Sequence, residues 1–283
     1  MSQLPIGLHR GIPAAQYHAD QGSVSNTMLS AMNKSPAHCY WLHLAPGRPE
    51  RQPTDAMLAG TLTHTAILEP KAFQSRYVVK PAGMRFSTKE GMAWRDQQTA
   101  TIISGDDFEA AAAQREAVHR VTALANLLRT GDAETSVFWH DKATGLRCRA
   151  RPDWLHWNSD KSITPLDIKT INDLTPEAVQ RAISTYGYHR QAAHYVNGLE
   201  AIGLHVDEFV FGFVSSSYPY LSAAFVLDDE SMAQGRDEVD ELLSRFKECQ
   251  KMGQWPAFGD GYQLTSLPTW AKRSSEVEIE VIQ

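Results

Sequence analysis

At Ala133 the hydrophobic period of the chain changes, and this change limits the possible folds more than any other feature of the sequence. Upstream, "DDFEAAAAQREAVHRVTALANLL" has helical spacing. Downstream, "AETSVFWHDKATGLRCRARPDWLHW" alternates like two strands around the turn "DKATG", and "NSDK" turns the chain into a third strand ending in "ITPLDIKT". After "INDL", Thr175 and Pro176 start a helical segment that Gly187 kinks or breaks before "YHRQAAHYVNGLEAI". "VDEFVFGFVSSS" and "YLSAAFVL" are two more strands, and "DDESMAQGRDEVDELLSRFKECQKM" is a capped amphipathic helix. The order helix, three strands, helix, two strands predicts an α/β fold with a central mixed sheet flanked by helices.

The N-terminal part predicts a helical elaboration of that core. Ser25 or Asn26 can cap a first short helix, and Ser35 with Pro36 makes a cap-then-N1 start for a second. "PGRPERQP" breaks the chain before an apolar helix from about Asp55 to Leu68, which Pro70 stops. Residues 75–103 have mixed character, and Ser104 with Asp107 is placed as a capping box. His119, inside the helix that follows, is read as a structural or surface residue. The Trp-, Pro- and Gly-rich "GQWPAFGDGYQLTSLPTW" reads as an ordered extended covering.

Composition excludes several classes. The 283 residues suffice for one substantial α/β core or two small ones. With 27 Lys+Arg against 33 Asp+Glu the formal charge is -6, which argues against a protein that coats nucleic acid. A local basic strip or a metal-assisted acidic site remains allowed. Cys39, Cys148 and Cys249 form no Cys-x-x-Cys pair, so nothing supports a zinc ribbon, an iron–sulfur cluster or a secreted disulfide scaffold. "MSQLPIGLHRGIPAAQYHADQ" lacks the apolar run of a signal peptide, and no segment approaches the roughly 18 apolar residues of a membrane span. A soluble cytoplasmic protein is expected.

Within the strands, three groups of residues point to chemistry. Asp167 and Lys169 in "PLDIKT" leave one strand face together, as they would on a solvated strand or at a reactive site. In "GLRCRARPD", Leu146, Cys148 and Ala150 share one face. Arg147, Arg149 and Arg151 share the other, which Asp153 joins unless Pro152 forces a bulge. That ladder fits either a charged edge strand or a strip that guides a nucleic-acid backbone. Asp153 and Asp167 lie on consecutive strands, and a bend would be needed to bring the two carboxylates together. If they meet, their repulsion calls for a counterion, for which Mg2+ or Mn2+ suits the oxygen ligands.

Helical residues supply the remaining candidates. In "GTLTH", Gly60 and His64 share a helical face, so Gly60 would allow close helix-to-sheet approach while His64 reaches the same cavity. In "YGYHRQAAHY", Gln191 and Tyr195 form another i,i+4 pair with Tyr188 on nearly the same side, able to hold a phosphate or stack on a base, or simply to form the polar edge of a helix. The "KPAGMRFSTKEGMAWRD" stretch, with Arg85 and Lys89, could touch phosphate or be an ordinary solvated connection.

Taken in order, Gly60-x-x-x-His64, Asp153 in "RPDW", Asp167-Ile168-Lys169 and Gln191-x-x-x-Tyr195 resemble the RecB-like branch of the PD-(D/E)xK nucleases. More closely, "SNTMLSAMNKSPAHCYW", "LAGTLTHTAILEP", "RARPDWL", "PLDIKT" and "YGYHRQAAHYVNGL" resemble the RecE-type exodeoxyribonuclease VIII family of phages and prophages, from about Gly11 through "LPTW". The resemblance implies a restriction-endonuclease-like core and Mg2+-dependent degradation of linear double-stranded DNA, with Mn2+ a possible substitute. The 5′-ended strand would be removed, leaving a 3′ tail for a RecT-type single-strand annealing protein.

By the same resemblance His64, Asp153, Asp167 and the carbonyl of Ile168 bind the metal. Lys169 is the catalytic lysine, and Gln191 and Tyr195 support it. Many relatives carry Glu where this chain has Asp167. A ring-like homotetramer around DNA is implied in turn. The expected organisation is a single nuclease domain over residues 1–283. It comprises an N-terminal elaboration (1–53), a catalytic core (54–228) with a loop/helix insertion at 75–130, and a C-terminal helix with its covering segment (229–283). Arg85, Lys89, Arg147, Arg149, Arg151 and Tyr188 are the DNA-contact candidates. A single-stranded or structure-specific DNA nuclease, or a silent DNA-binding scaffold, would carry the same motifs.

Overall fold

The computed structural model describes residues 3–49, 52, 54–259 and 261–268. The N-terminal region forms β1 (Gly7–His9), α1 (Ala14–Ala19), β2 (Val24–Ser25), α2 (Asn26–Lys34) and α3 (Pro36–Cys39), which runs into a π-helical turn at Tyr40–Leu44. Next come α4 (Asp55–Leu68), α5 (Pro70–Arg76), β3 (Tyr77–Val79), α6 (Lys89–Asp96), β4 (Thr101–Ile103), α7 (Gly105–Arg120) and α8 (Thr122–Leu127). The strand block holds β5 (Asp132–Ala133), β6 (Ser136–His140), β7 (Arg147–Ala150), β8 (Trp154–Trp157) and β9 (Ser162–Ile171). It is followed by α9 (Pro176–Tyr186), α10 (Tyr188–Ala201), β10 (His205–Val206), β11 (Val210–Ser215), β12 (Ser222–Val226) and α11 (Asp229–Met252).

Local chemistry sets most helix ends. Ser25 caps α2 by accepting from the Met28 N–H, and Ser35 does the same for α3 ahead of Pro36. Thr54 caps α4, and the Ser104–Asp107 box caps α7. Between α9 and α10, Gly187 sits at φ +67°, the left-handed conformation that lets one helix stop and another start at once.

The strands divide over separate sheets. In the central one the order is β12-β11-β9-β8-β5, with β10 beside β9; β11 runs parallel to β9, and β12 and β8 antiparallel to their neighbours. The parallel pair needs a long crossover, which α9 and α10 supply. A second sheet has the order β1-β6-β7-β2, and β3 pairs with β4 in a third. The central mixed sheet flanked by helices is as expected, and two details of strand assignment differ. The segment from Ala133 to Trp157 holds β5, β6, β7 and β8 rather than two strands, and β7 and β8 belong to different sheets. Arg151 to Asp153 is the point of transfer, because Pro152 cannot donate to a ladder. The 75–103 stretch contains the short β3–β4 pair and α6 rather than only loop.

Helices cover both faces of β9. Leu166 and Ile168 pack with Ile67, Leu68, Val118 and Leu124 from α4, α7 and α8, while Phe211 and Phe213 of the neighbouring strand pack with Val179, Ala192 and Val196 of α9 and α10. Asp167 and Lys169 therefore point to the α10 side. A further cluster joins Leu146, Cys148 and Ala150 to α2, α10 and α11, as the apolar side of the arginine strand requires. There α10 crosses β6 so closely that a Cβ on Gly198 would lie 2.5 Å from the Trp139 ring. The C-terminal covering ends early. Trp255 packs on Tyr40 and Phe246 and Phe258 on His38, but Tyr262 and Leu264 are fully exposed and cover nothing; Trp270 of the motif "LPTW" lies outside the described residues. No helix among the described residues is long and apolar enough to cross a membrane.

Candidate active site

The Arg151–Asp153 transfer between sheets delivers Asp153 to the centre of the site. Its Oδ2 accepts the Ile168 N–H at 2.7 Å, so the side chain bridges the end of β7 to the middle of β9. This is the bend that convergence of the two carboxylates requires. His64, on α4, places Nδ1 3.5 Å from the same Oδ2. Glu134 completes the group: its N–H donates to the Asp153 carbonyl at 2.9 Å, and its backbone sits at φ +50°. One ligand atom from each of His64, Glu134 and Asp153 lies within 4.8 Å of the others, a spacing that suits a divalent cation.

Behind this trio stands the "PLDIKT" pair. Asp167 is 1% exposed. Its Oδ1 accepts from Gln191 Nε2 at 2.8 Å, and its Oδ2 lies 2.5 Å from the Lys169 ammonium. That ammonium sits 4.7 Å from the centre of the Tyr188 ring, and the Tyr195 hydroxyl is hydrogen-bonded with Gln191. A solvated strand face is thereby excluded for Asp167 and Lys169.

Burial and mutual repulsion set the charge of the site. Burial raises Asp153 well above the ordinary carboxylate range, and Asp167 adds to the effect. Burial, then the Asp153 charge, lifts Glu134 to about 7. Burial depresses His64, leaving a neutral imidazole whose lone pair is free to ligate. Burial also opposes the charged form of Lys169, but Asp167 and then Asp153 outweigh it and hold its pKa above normal. Asp167 Oδ2 is buried with no aligned hydrogen bond and lies against the Lys169 ammonium. Two carboxylates with an imidazole fit a hard divalent ion.

Of the expected ligands, His64 and Asp153 lie in the trio and Asp167 stands behind it. Asp167, assigned to the metal with His64, Asp153 and Ile168, turns toward Lys169 and Gln191, and Glu134 stands in the trio instead. Ile168 gives its N–H to Asp153, and its backbone also hydrogen-bonds His64. Sequence reading missed Glu134 because it lies between β5 and β6, where no strand alternation fixes the direction of its side chain. The pairing of Ala133 with Trp154, which sets residue 134 beside Asp153, is the signal that would have found it.

The arginine ladder faces the N-terminal segment. Arg147 bonds Ser23 and the Leu4 carbonyl and stacks on Phe138. Arg149 is buried, donates to the carbonyls of Tyr17 and Asp20 and stacks on Tyr17. Arg151 bonds Ser136 and the Ile12 carbonyl. These guanidinium groups hold the N-terminal segment in place. Arg151 alone also lines a cleft of about 570 Å³, with His64, Glu134 and Glu69. Arg85 and Lys89 are exposed beside α6 and line neither this cleft nor the one bordered by Tyr188. Gly60 has nothing within 4 Å of the place a Cβ would take, so it opens space rather than permitting close packing.

Residues 25–265 match the PDDEXK-like domain of unknown function (DUF3799). The chain belongs to this PDDEXK-like family. No curated protein matches it. Among solved structures, the "Putative exonuclease" of Eubacterium rectale superposes with a TM-score of 0.60 at 12% identity, covering 87% of this chain and 88% of that one. At that identity the likeness shows the fold. The phage related exonuclease of Haemophilus somnus is 15% identical over 80% of this chain and 95% of that one, with a TM-score of 0.32, too low to carry an argument. The PDDEXK-like chain thus has a nuclease-type fold, a mixed sheet flanked by helices, and a candidate divalent-metal trio at its centre.

Proposed function

We propose that the protein is a metal-dependent exodeoxyribonuclease of the RecE type, a single nuclease domain that degrades the 5′-ended strand of linear double-stranded DNA. The observation that carries this reading is the meeting of His64, Glu134 and Asp153 beside an Asp167–Lys169 pair only 2.5 Å apart. His64, Glu134 and Asp153 would hold Mg2+ or Mn2+, with Asp167 and the Ile168 backbone at its edge. Such an ion lowers the pKa of a bound water and offsets charge on the phosphate.

The chain's own groups do the rest. Asp153 is fixed by the Ile168 N–H, so one carboxylate oxygen keeps its place. Gln191 locks Asp167, and Asp167 aims the Lys169 ammonium. The ammonium stays protonated beside two carboxylates, so its part is to attract the scissile phosphate and orient the attacking water by donating to it. Tyr195 holds Gln191 from behind. A RecT-type annealing protein would use the 3′ tails, and a ring-like tetramer would keep the enzyme on its strand.

The test is a time course on linear duplex labelled separately at its 5′ and 3′ ends, with covalently closed circles alongside. Release of the 5′ label first, with Mg2+ only and with circles untouched, is the expected result. Degradation starting at the 3′ end, or cutting of closed circles, would replace it with another nuclease of the same fold. No hydrolysis with Mg2+ or Mn2+ would leave a DNA-binding scaffold.

A further inference from the structure

The chemistry above leaves a second cleft, of about 830 Å³, without a role. It adjoins the site: Thr170 follows Lys169 on β9, Gly60 lies one turn before His64 on α4, and Tyr188 shares its wall with Tyr186 and Arg181. Gly60 leaves its side open. At about 830 Å³ the cleft is a pocket-sized opening. It falls within the roughly 300–1,000 Å³ that encloses a small organic ligand.

Its aromatic wall has an unusual construction. Residues i and i+2 of a continuous helix point in nearly opposite directions. Here the left-handed Gly187 breaks the helix between Tyr186 and Tyr188, and the two rings stack with centroids 5.6 Å apart at 30°. Tyr188 continues the column inward to Lys169. At the outer end Tyr186 is 63% exposed and lines the cleft. Arg181 stands on the same helix, exposed and free of salt bridges among the described residues.

We propose that this cleft receives a single unpaired DNA strand and that Tyr186 stacks on one of its bases, setting the adjoining phosphate in line with Lys169. Stacking on an exposed ring tolerates any base, as an enzyme that digests DNA of any sequence requires. On a duplex the frayed 5′ end is the segment that enters. Tyr186 is thus a positioning residue, and the proposal rests on the nuclease reading.

The test uses a short single-stranded oligonucleotide with 2-aminopurine placed at successive positions, mixed in EDTA with the wild type, Tyr186→Ala and Tyr186→Trp. Stacking quenches the probe. The expected result is quenching at one position or two adjacent ones with the wild type and Tyr186→Trp. Tyr186→Ala should lose it and bind about 5- to 20-fold more weakly, the low end of base–aromatic stacking. With Mg2+, Tyr186→Ala should raise KM for tailed duplex with little change in kcat. Equal quenching and affinity in wild type and Tyr186→Ala would overturn the proposal even if the wild type digests DNA. Tyr186-dependent quenching by a wild type that hydrolyses nothing would instead keep the strand-binding cleft and remove the nuclease reading.

Discussion

Replacing Glu134 with glutamine should stabilise the metal-free protein and weaken its response to metal, two effects of opposite sign from one atom change. The carboxyl is raised from 4.5 to about 7 by burial and Asp153, against the attraction of Arg151 and His64. At roughly 1.36 kcal/mol per pKa unit, ionising it in the native state costs about 3 kcal/mol, and its partial exposure to water reduces the expected effect to about 1–3 kcal/mol.

The sign follows from proton counting. Below about pH 4.5 the group is protonated in both states and costs nothing. Between 4.5 and 7 the native protein retains a proton the unfolded chain has lost, so stability falls as pH rises; above 7 the full cost is present. Thermal melts in EDTA should therefore show Glu134→Gln ahead of the wild type by about 2–6 °C at pH 8 and nearly level with it at pH 5. At a metal concentration of 100 times Kd the wild type should gain about 2.7 kcal/mol, and the variant, short of one ligand oxygen, clearly less. A variant that is no more stable at pH 8 than at pH 5, or that gains as much from Mg2+ as the wild type, would refute the assignment of Glu134 to the trio.

Three further outcomes follow from the same geometry. Arg149→Met should destabilise by about 2–4 kcal/mol and expose the N-terminal segment to protease, because two backbone carbonyls lose a buried charged donor; a DNA affinity whose salt dependence becomes shallower would instead put this arginine on the DNA. Lys169→Met should abolish hydrolysis and cost about 3–5 kcal/mol in EDTA by leaving Asp167 beside Asp153 without its counterion. Addition of Mg2+ should recover part of that stability, and failure to do so would count against a cation at this place. Gly198→Ala should lower stability by about 1–3 kcal/mol through the clash with Trp139, read from a denaturant midpoint; no change would show that α10 has room to shift.

Elements governed by contacts within one turn of chain were legible in the sequence. The bounds of α4, the Ser25, Ser35 and Ser104 caps, the break at Gly187 and the strand β9 each follow from residues no more than four apart. His64, Asp153, Asp167 and Lys169 were recognised as residue types in a telling order, and the structure brings all four together. What their order could not show is which atom faces which. Asp167 turned to Lys169 and Gln191, and Glu134 took the vacant side of the trio. The arginine side of β7 was read correctly as a face, but its partner lies more than 120 residues earlier in the chain.

The sequence by itself therefore determined the capped helices, the strand β9 and the chemical types available to a site, since capping, periodicity and backbone preference act over a few residues. Tertiary structure alone decided that β7 and β8 part into different sheets at Pro152, that the arginines close over the N-terminal segment, and that Glu134 meets His64. Those outcomes depend on strand register and on where buried charges find partners, and both are settled only when distant parts of the chain compete for the same space.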